Sequence, residues 1–546
     1  MIKRLLFFVG VILLMTESAK ACTNLIVTKG ASADGSTMLF YANDGEYIPV
    51  LPIHAGQRWS KRDSVELISW PNGVRANIPQ PKKSYTALGY HINEYQVAIG
   101  ETTFGGRHEL HNRSVAQEYW HLMEEAVRRA KTAKEAVHII IDLVEQYGYG
   151  SEGESFSIVD PNEAWLLEMI GKGEGSHGAL YVAQRIPDGM VVAHANHSRI
   201  SSFPMNDPEN CIYSHDVVSF AVEKGYYDPK SGKPFEFNSA YDPVSPAKLR
   251  YCESRVYSLY HRMAPSMDLS SDYCRGVQGA EAYPLWIKPD EKISLKNMMS
   301  LVRDHYEGMP WDMRKGIASG AYGSPNYARP MTWKVDDTTC SWERPISTPV
   351  TAYSFIAQLR ADLPREVGAL MWYGLDNNYT NCYMPVYVSS TKMPVAFNTG
   401  DINKFSWSSA WWVFNFVGNY VNLRYNDMVK DVQKKQSSIE SELIDQQATF
   451  EANVVAELKK NKKGAIEMMT DYTNNTAESV VADWIDLGQF LIMKYNDGYV
   501  KDEQNRIKQK GASESYYRKV LKDDPERKLP VWNQQEEHNE KEPSNF

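Results

Sequence analysis

Residues 19–44 read AKACTNLIVTKGASADGSTMLFYAND, and this stretch decides how the chain folds. Residues 22–28 are a β-branched apolar run and predict a buried strand. Residues 29–37 form a turn segment around Asp34-Gly35, a strong hairpin signal, and residues 38–43 predict the returning strand. A strand that starts at residue 22 and folds near 34–35 brings residues 41–47 back beside its start. Asp44 is thereby placed near Cys22.

Upstream, residues 1–21 carry Lys3 and Arg4, an apolar run over 5–15, and Ala19-Lys20-Ala21. Such a charged start, short apolar stretch and A-x-A site predict an export signal. The run is too short to cross about 30 Å of hydrocarbon as a helix. Cleavage after Ala21 exports the chain to the periplasm or the extracellular space and leaves Cys22 as its first residue. A leading cysteine has two fates, lipid anchor or nucleophile. Ala19 and Lys20 match a lipobox poorly, and a strand follows where a polar tether is usual.

The full chain of 546 residues has a net charge of −9, and of −11 once the segment's net +2 is removed. No excess of Lys and Arg exists to displace counterions from phosphates, so nucleic acid is not expected as a partner. Six cysteines in this length exclude a disulfide scaffold. Cys211, Cys252, Cys274, Cys340 and Cys382 read as small buried hydrophobes, some of which could pair in an exported protein. The spacing predicts strands over 85–91 and 94–100, helices over 114–130 and 132–146, a hairpin over 155–169, a strand over 189–195 and a helix over 245–265. Strands follow over 351–362 and 367–373, and a long amphipathic helix over 428–458. The aromatic stretch 405–423 reads as a packed helix, so no transmembrane span is expected after signal cleavage. No phosphate loop, dinucleotide fingerprint or H-E-x-x-H motif occurs, and His108 with His111 is too little for a metal site.

A terminal cysteine supplies a nucleophile and a base in one residue. Its α-amine has a reference pKa of about 7.7–8.0, so part of it is neutral at neutral pH, and its thiol needs little activation. Amide hydrolysis needs that pair plus donors for the oxyanion. Cys22-Thr23, Val27, Lys29, Ala31-Ser32, Asp34-Gly35-Ser36-Thr37 and Asp44 resemble the N-terminus of the cysteine dipeptidases (dipeptidase A type) of the N-terminal-nucleophile (Ntn) hydrolase superfamily. The blocks 100–107 (GETTFGGR), 154–156 with 164–168, 195–200 (ANHSRI) and 311–313 are similar to family blocks, so the resemblance spans roughly 22–425.

The resemblance implies an α+β fold, a four-layer αββα Ntn-hydrolase sandwich with a helical C-terminal region. The chain is expected to divide into a signal peptide (1–21), a peptidase domain (22–402), a helical region (403–508) and a charged, partly disordered tail (509–546). The resemblance also bears on activity. It implies hydrolysis of dipeptides, no cofactor and no metal, and leaves a homo-oligomer open. Cys22, Asp44 and Asn196 are the expected catalytic residues: nucleophile, holder of the terminal amine, and oxyanion donor. Glu101, Thr102, Arg199 and Arg255 are expected to line the substrate site, with a carboxylate suited to a free amine and an arginine to a carboxylate. Tyr41 stands where many members of the superfamily have an arginine near the thiol, so that positive charge is missing or comes from a group such as Arg255. Two other readings stand beside the dipeptidase: an Ntn amidase or acyltransferase on N-acyl substrates, and a non-enzymatic lipid-anchored binding protein.

Overall fold

The hairpin forms as the sequence predicts. Strands β1 (Thr23–Val27) and β2 (Thr37–Asp44) pair antiparallel, with Thr23 opposite Ala42 and Val27 opposite Met38. The computed structural model describes residues 22–69, 73–328, 331–508 and 510–529. The predicted signal at 1–21 and the tail from 530 lie outside them.

Along the chain follow β3 (Ala98–Gly105), α1 (Tyr119–Arg129), α2 (Ala133–Tyr147), β4 (Gly153–Val159), β5 (Ala164–Ile170), β6 (Leu180–Arg185), β7 (Val191–His194), α3 (Pro246–Met263), β8 (Thr351–Leu359), β9 (Ala369–Leu375) and β10 (Met384–Tyr387). The C-terminal part is helical: α4 (Ala410–Tyr420), α5 (Tyr425–Leu458) and α6 (Lys462–Tyr495). Two large antiparallel sheets result. One has the order β7-β1-β2-β8-β9-β10. The other runs from Cys211–Tyr213 through β6, β5, β4 and β3 to the short strands Ile92–Asn93, Ala87–Leu88 and Ile53–His54.

Side-chain alternation assigns each face. Ile26, Leu39, Tyr41, Phe355 and Met371 of the first sheet share a core with Ala98, Val159, Leu166 and Val182 of the second. Leu25, Val27, Phe40, Ile356 and Trp372 point the other way, onto Val256 and Tyr260 of α3, Met298 and Met299, and Leu443, Val454 and Met469 of α5 and α6. The far face of the second sheet (Ile99, Phe156, Ile158, Trp165, Leu167) packs on Leu122, Met123 and Ala126 of α1 and Val137, Ile140 and Val144 of α2. Strands buried on both faces explain why β1 and β2 read as unbroken apolar runs rather than as alternating ones. The molecule is a mixed α/β protein with several antiparallel sheets and a helical C-terminal region.

Two expectations are corrected. Residues 85–91 do not form one strand. Gly89 turns the chain at φ 51°, and the Asn93 carboxamide accepts the backbone N–H groups of Tyr95 and Val97. Only the two-residue strands Ala87–Leu88 and Ile92–Asn93 survive. The helix expected from 114 begins at Tyr119, where Glu118 and His121 form a reciprocal cap. The predicted helix over 132–146 is present, capped by the Thr132 side chain. The long helix expected over 428–458 is α5, which starts at Tyr425 and ends at Leu458, and α6 follows it within the region 403–508 that was expected only to be helical. No helix among the described residues is long and apolar enough to cross a membrane.

The C-terminal helices share cores with the sheets. Trp484 of α6 is fully buried, donates its indole N–H to Thr380 O at 3.1 Å and packs its ring on Phe414 of α4 at 5.2 Å. Trp484→Ala should therefore lower stability by roughly 3–5 kcal/mol, the usual cost of a large aromatic cavity. The urea midpoint should fall, and a wild-type midpoint would show that α6 is not integral to the core.

Candidate active site

Cys22 stands at the head of β1, between β2 and β7. The β1–β7 register sets Asn24 opposite His194, so the backbone after β7 brings Asn196 alongside Cys22. Asn196 takes a left-handed φ of 60°, a conformation that asparagine tolerates better than most residues. On the β2 side the backbone of Asp44 lies near the Cys22 sulfur and favours its charged form. The proximity of Asp44 expected from the hairpin is present.

The second sheet closes the thiol from the opposite side. Cys22 Sγ donates to Glu101 Oε1 at 3.3 Å. Tyr41 Oη donates to the same oxygen at 2.6 Å, lies 3.9 Å from Sγ, and accepts from Asn43 Nδ2 at 2.6 Å. The two sheets can approach this closely because residue 100 is glycine. A Cβ there would sit 2.4 Å from Asn24 Oδ1 and 3.2 Å from Tyr41 Cβ. Burial, then Glu101, Asp44 and Glu154, push the Cys22 thiol well above its ordinary range, so it is held as the neutral thiol.

Two arginines balance the Asp44 side. Arg344 forms a buried ion pair with Asp44, and Thr351 Oγ1 donates to Asp44 Oδ1 at 2.8 Å. Burial outweighs both partners and leaves Asp44 above the usual carboxylate range. Arg255 donates to Cys22 O at 2.8 Å, to Thr23 Oγ1 at 2.9 Å, to Ala195 O at 3.2 Å and to Asn196 Oδ1 at 3.0 Å. Arg255 thus clamps the backbone of Cys22 to Asn196. Asn196 Nδ2 donates to Thr103 O at 2.8 Å, tying it to the second sheet.

The structure brings Cys22, Asp44, Glu101, Asn196 and Arg255 together. It sets Thr102 and Arg199 elsewhere. Thr102 Oγ1 bonds His194 Nδ1 at 2.7 Å in the interior, where burial lowers the His194 pKa to about 3. Arg199 is buried against Glu253 and Tyr260 and donates to the carbonyls of Ala193, Tyr283 and Pro284. It lines a separate cavity of about 730 Å³ with His197 and Glu253. Arg344 and Glu154 complete the ring around the thiol but are absent from the sequence-based site. Arg344 is 300 residues from Asp44, and no spacing rule reaches that far. All six cysteines are unpaired. Among the described residues no cluster of His, Cys, Asp and Glu could hold a metal.

The profile of Peptidase family C69 matches residues 89–438. The chain belongs to peptidase family C69. The C69 match contains Glu101, Glu154, Asn196, Arg255 and Arg344, while Cys22 and Asp44 precede it. A probable dipeptidase of Salmonella dublin is 28% identical over 393 residues, covering 67% of this chain and 81% of the relative. Dipeptidase A of Lactobacillus helveticus is 23% identical over 512 residues, covering 87% and 98%. Probable dipeptidase B of Streptococcus pyogenes serotype M1 is 24% identical over 474 residues, covering 81% and 84%.

Arg344→Met should cost about 3–5 kcal/mol, because it leaves the Asp44 charge buried and uncompensated. Adding Asp44→Asn should recover part of that loss, since the two sites share one interaction. Urea denaturation of the two single variants and the double variant checks this. Strictly additive losses would mean that the pair is not coupled.

Proposed function

We propose that this C69 protein is an exported cysteine dipeptidase of the Ntn type, with Cys22 as nucleophile once residues 1–21 are removed. One observation carries the reading: the thiol that donates to Glu101, beside Asp44 and on the backbone that Arg255 holds, belongs to the residue that export processing would expose. The helix, sheet, sheet, helix packing order supports reading the fold as the four-layer αββα sandwich. The relatives' names support dipeptides as the substrates.

The reaction follows from the residues. The freed α-amine of Cys22 takes the thiol proton, and Sγ attacks the scissile carbonyl. Such an amine matters here because burial between carboxylates works against a free thiolate, so proton removal must accompany attack. The Asn196 amide and backbone N–H groups hold the oxyanion, where one such donor is typically worth about 10²–10³ in rate. Asp44, balanced by Arg344, orients the ammonium formed on Cys22. The amine returns its proton to the leaving amino group, and water releases the acyl-enzyme.

Cys22→Ser should lower kcat/KM on free dipeptides by roughly 10³-fold or more without moving the melting temperature, as loss of a nucleophile does in comparable enzymes. Extending the processed chain by one residue before Cys22 should abolish turnover, because the base is then locked in a peptide bond. A fully active Cys22→Ser protein would reject the nucleophile, and a fully active extended protein would reject the amine as base.

A further inference from the structure

Four buried carboxylates of this protein have arginine partners: Asp44 with Arg344, Glu253 with Arg199, Glu440 with Arg303 and Glu451 with Arg360; the buried Glu168 instead accepts four hydrogen bonds, from Ser155, Ser198 and the backbone of Arg199 and Ile200. Glu101 and Glu154 are both fully buried. Among the described residues neither carboxyl has an ion pair. They lie on neighbouring strands, with Glu101 opposite Phe156 and Thr103 opposite Glu154. Glu154 Oε2 accepts from Thr103 Oγ1 at 3.0 Å. Glu101 Oε2 and Glu154 Oε1 have no other donor, and the two carboxyls are hydrogen-bonded to each other. A bond between two carboxyl oxygens needs a proton. Burial and the neighbouring Glu101 push Glu154 well above the usual carboxylate range, so Glu154 carries that proton. The pair therefore holds one negative charge beside the nucleophile, with no resident cation to meet it, an expensive arrangement unless a ligand supplies the cation.

We propose that Glu101 anchors the substrate's free α-ammonium, and that Glu154 is a positioning residue that donates to Glu101 and keeps the charge on the carboxylate next to the thiol. This rests on the Cys22 peptidase reading. In a dipeptide the ammonium nitrogen and the scissile carbonyl carbon share one Cα, about 2.5 Å apart. With sulfur about 3–3.5 Å from that carbon, an oxygen 3.3 Å from Sγ is within reach of the ammonium. An N-acylated or mid-chain residue offers no charge there and leaves the carboxylate unpaired. The site thus selects a free amino terminus and cuts after the first residue. Tyr41, where relatives of the superfamily have an arginine, suits this subsite: a cation there would neutralise Glu101, whereas the phenol donates to it and leaves its charge for the substrate.

The test measures kcat and KM of the processed protein on L-alanyl-L-alanine and N-acetyl-L-alanyl-L-alanine. Glu101→Gln should raise KM for the free dipeptide about 10–100-fold, the range of a charged hydrogen bond, with little change for the acetylated one. Glu154→Leu should lower the free-over-acetyl preference about tenfold or more, mainly through KM. Glu154→Gln should restore most of it, because its amide donates the same hydrogen bond. A preference intact in Glu101→Gln, or Glu154→Gln and Glu154→Leu equally impaired in kcat alone, overturns the anchor while leaving the peptidase reading standing. Wild-type protein that cleaves neither compound defeats the peptidase reading instead. The anchor is then judged by calorimetry of L-alaninamide on Cys22→Ala protein. Saturable binding lost on adding Glu101→Gln supports it, and no binding ends it.

Discussion

The constraint on which this structure depends is the burial of a thiol among carboxyl groups contributed by two different sheets. Cys22 and Asp44 come from the first sheet, Glu101 and Glu154 from the second, and all are shielded from water. Each charge must be compensated locally, because the interior lacks the solvent that would screen it. Asp44 is compensated by Arg344, from a segment far along the chain. Glu101 accepts hydrogen bonds from Tyr41 and Cys22 and, among the described residues, has no cation beside it. The glycine at position 100 permits the two sheets to approach closely enough to close this polar ring.

That arrangement also separates two roles. Arg255 grips the backbone of Cys22 and ties it to Asn196, which fixes where the sulfur stands. Glu101, Tyr41 and Asn43 surround the sulfur itself and set the electrostatic character of the space in front of it.

Local features were the legible part of the sequence. The β1–β2 hairpin follows from an apolar run, a turn and a second apolar run, and Asp44 falls beside Cys22 by that geometry alone. Helix α2 was readable from Thr132 and Glu135, and α5 from its apolar stripe. Asn196, Glu101 and Arg255 emerged from family resemblance, since nothing local distinguishes them from an ordinary turn asparagine, strand glutamate or helical arginine. Thr102 and Arg199 were drawn in by the same blocks, yet neither contacts the thiol: Thr102 turns to His194, and Arg199 serves the buried Glu253. Arg344 and the closeness of Glu154 to Glu101 were beyond sequence reasoning, because both arise from contacts between segments that only the folded chain brings together.

The account stands on Cys22 presenting its sulfur and its own amine together. The most direct measurement is the intact mass of turnover-competent protein, combined with sequencing of its first residues. The account predicts a chain that begins at Cys22 with an unmodified amine. Fully active protein that retains any residue before Cys22, or that carries an acyl group on that amine, would contradict it.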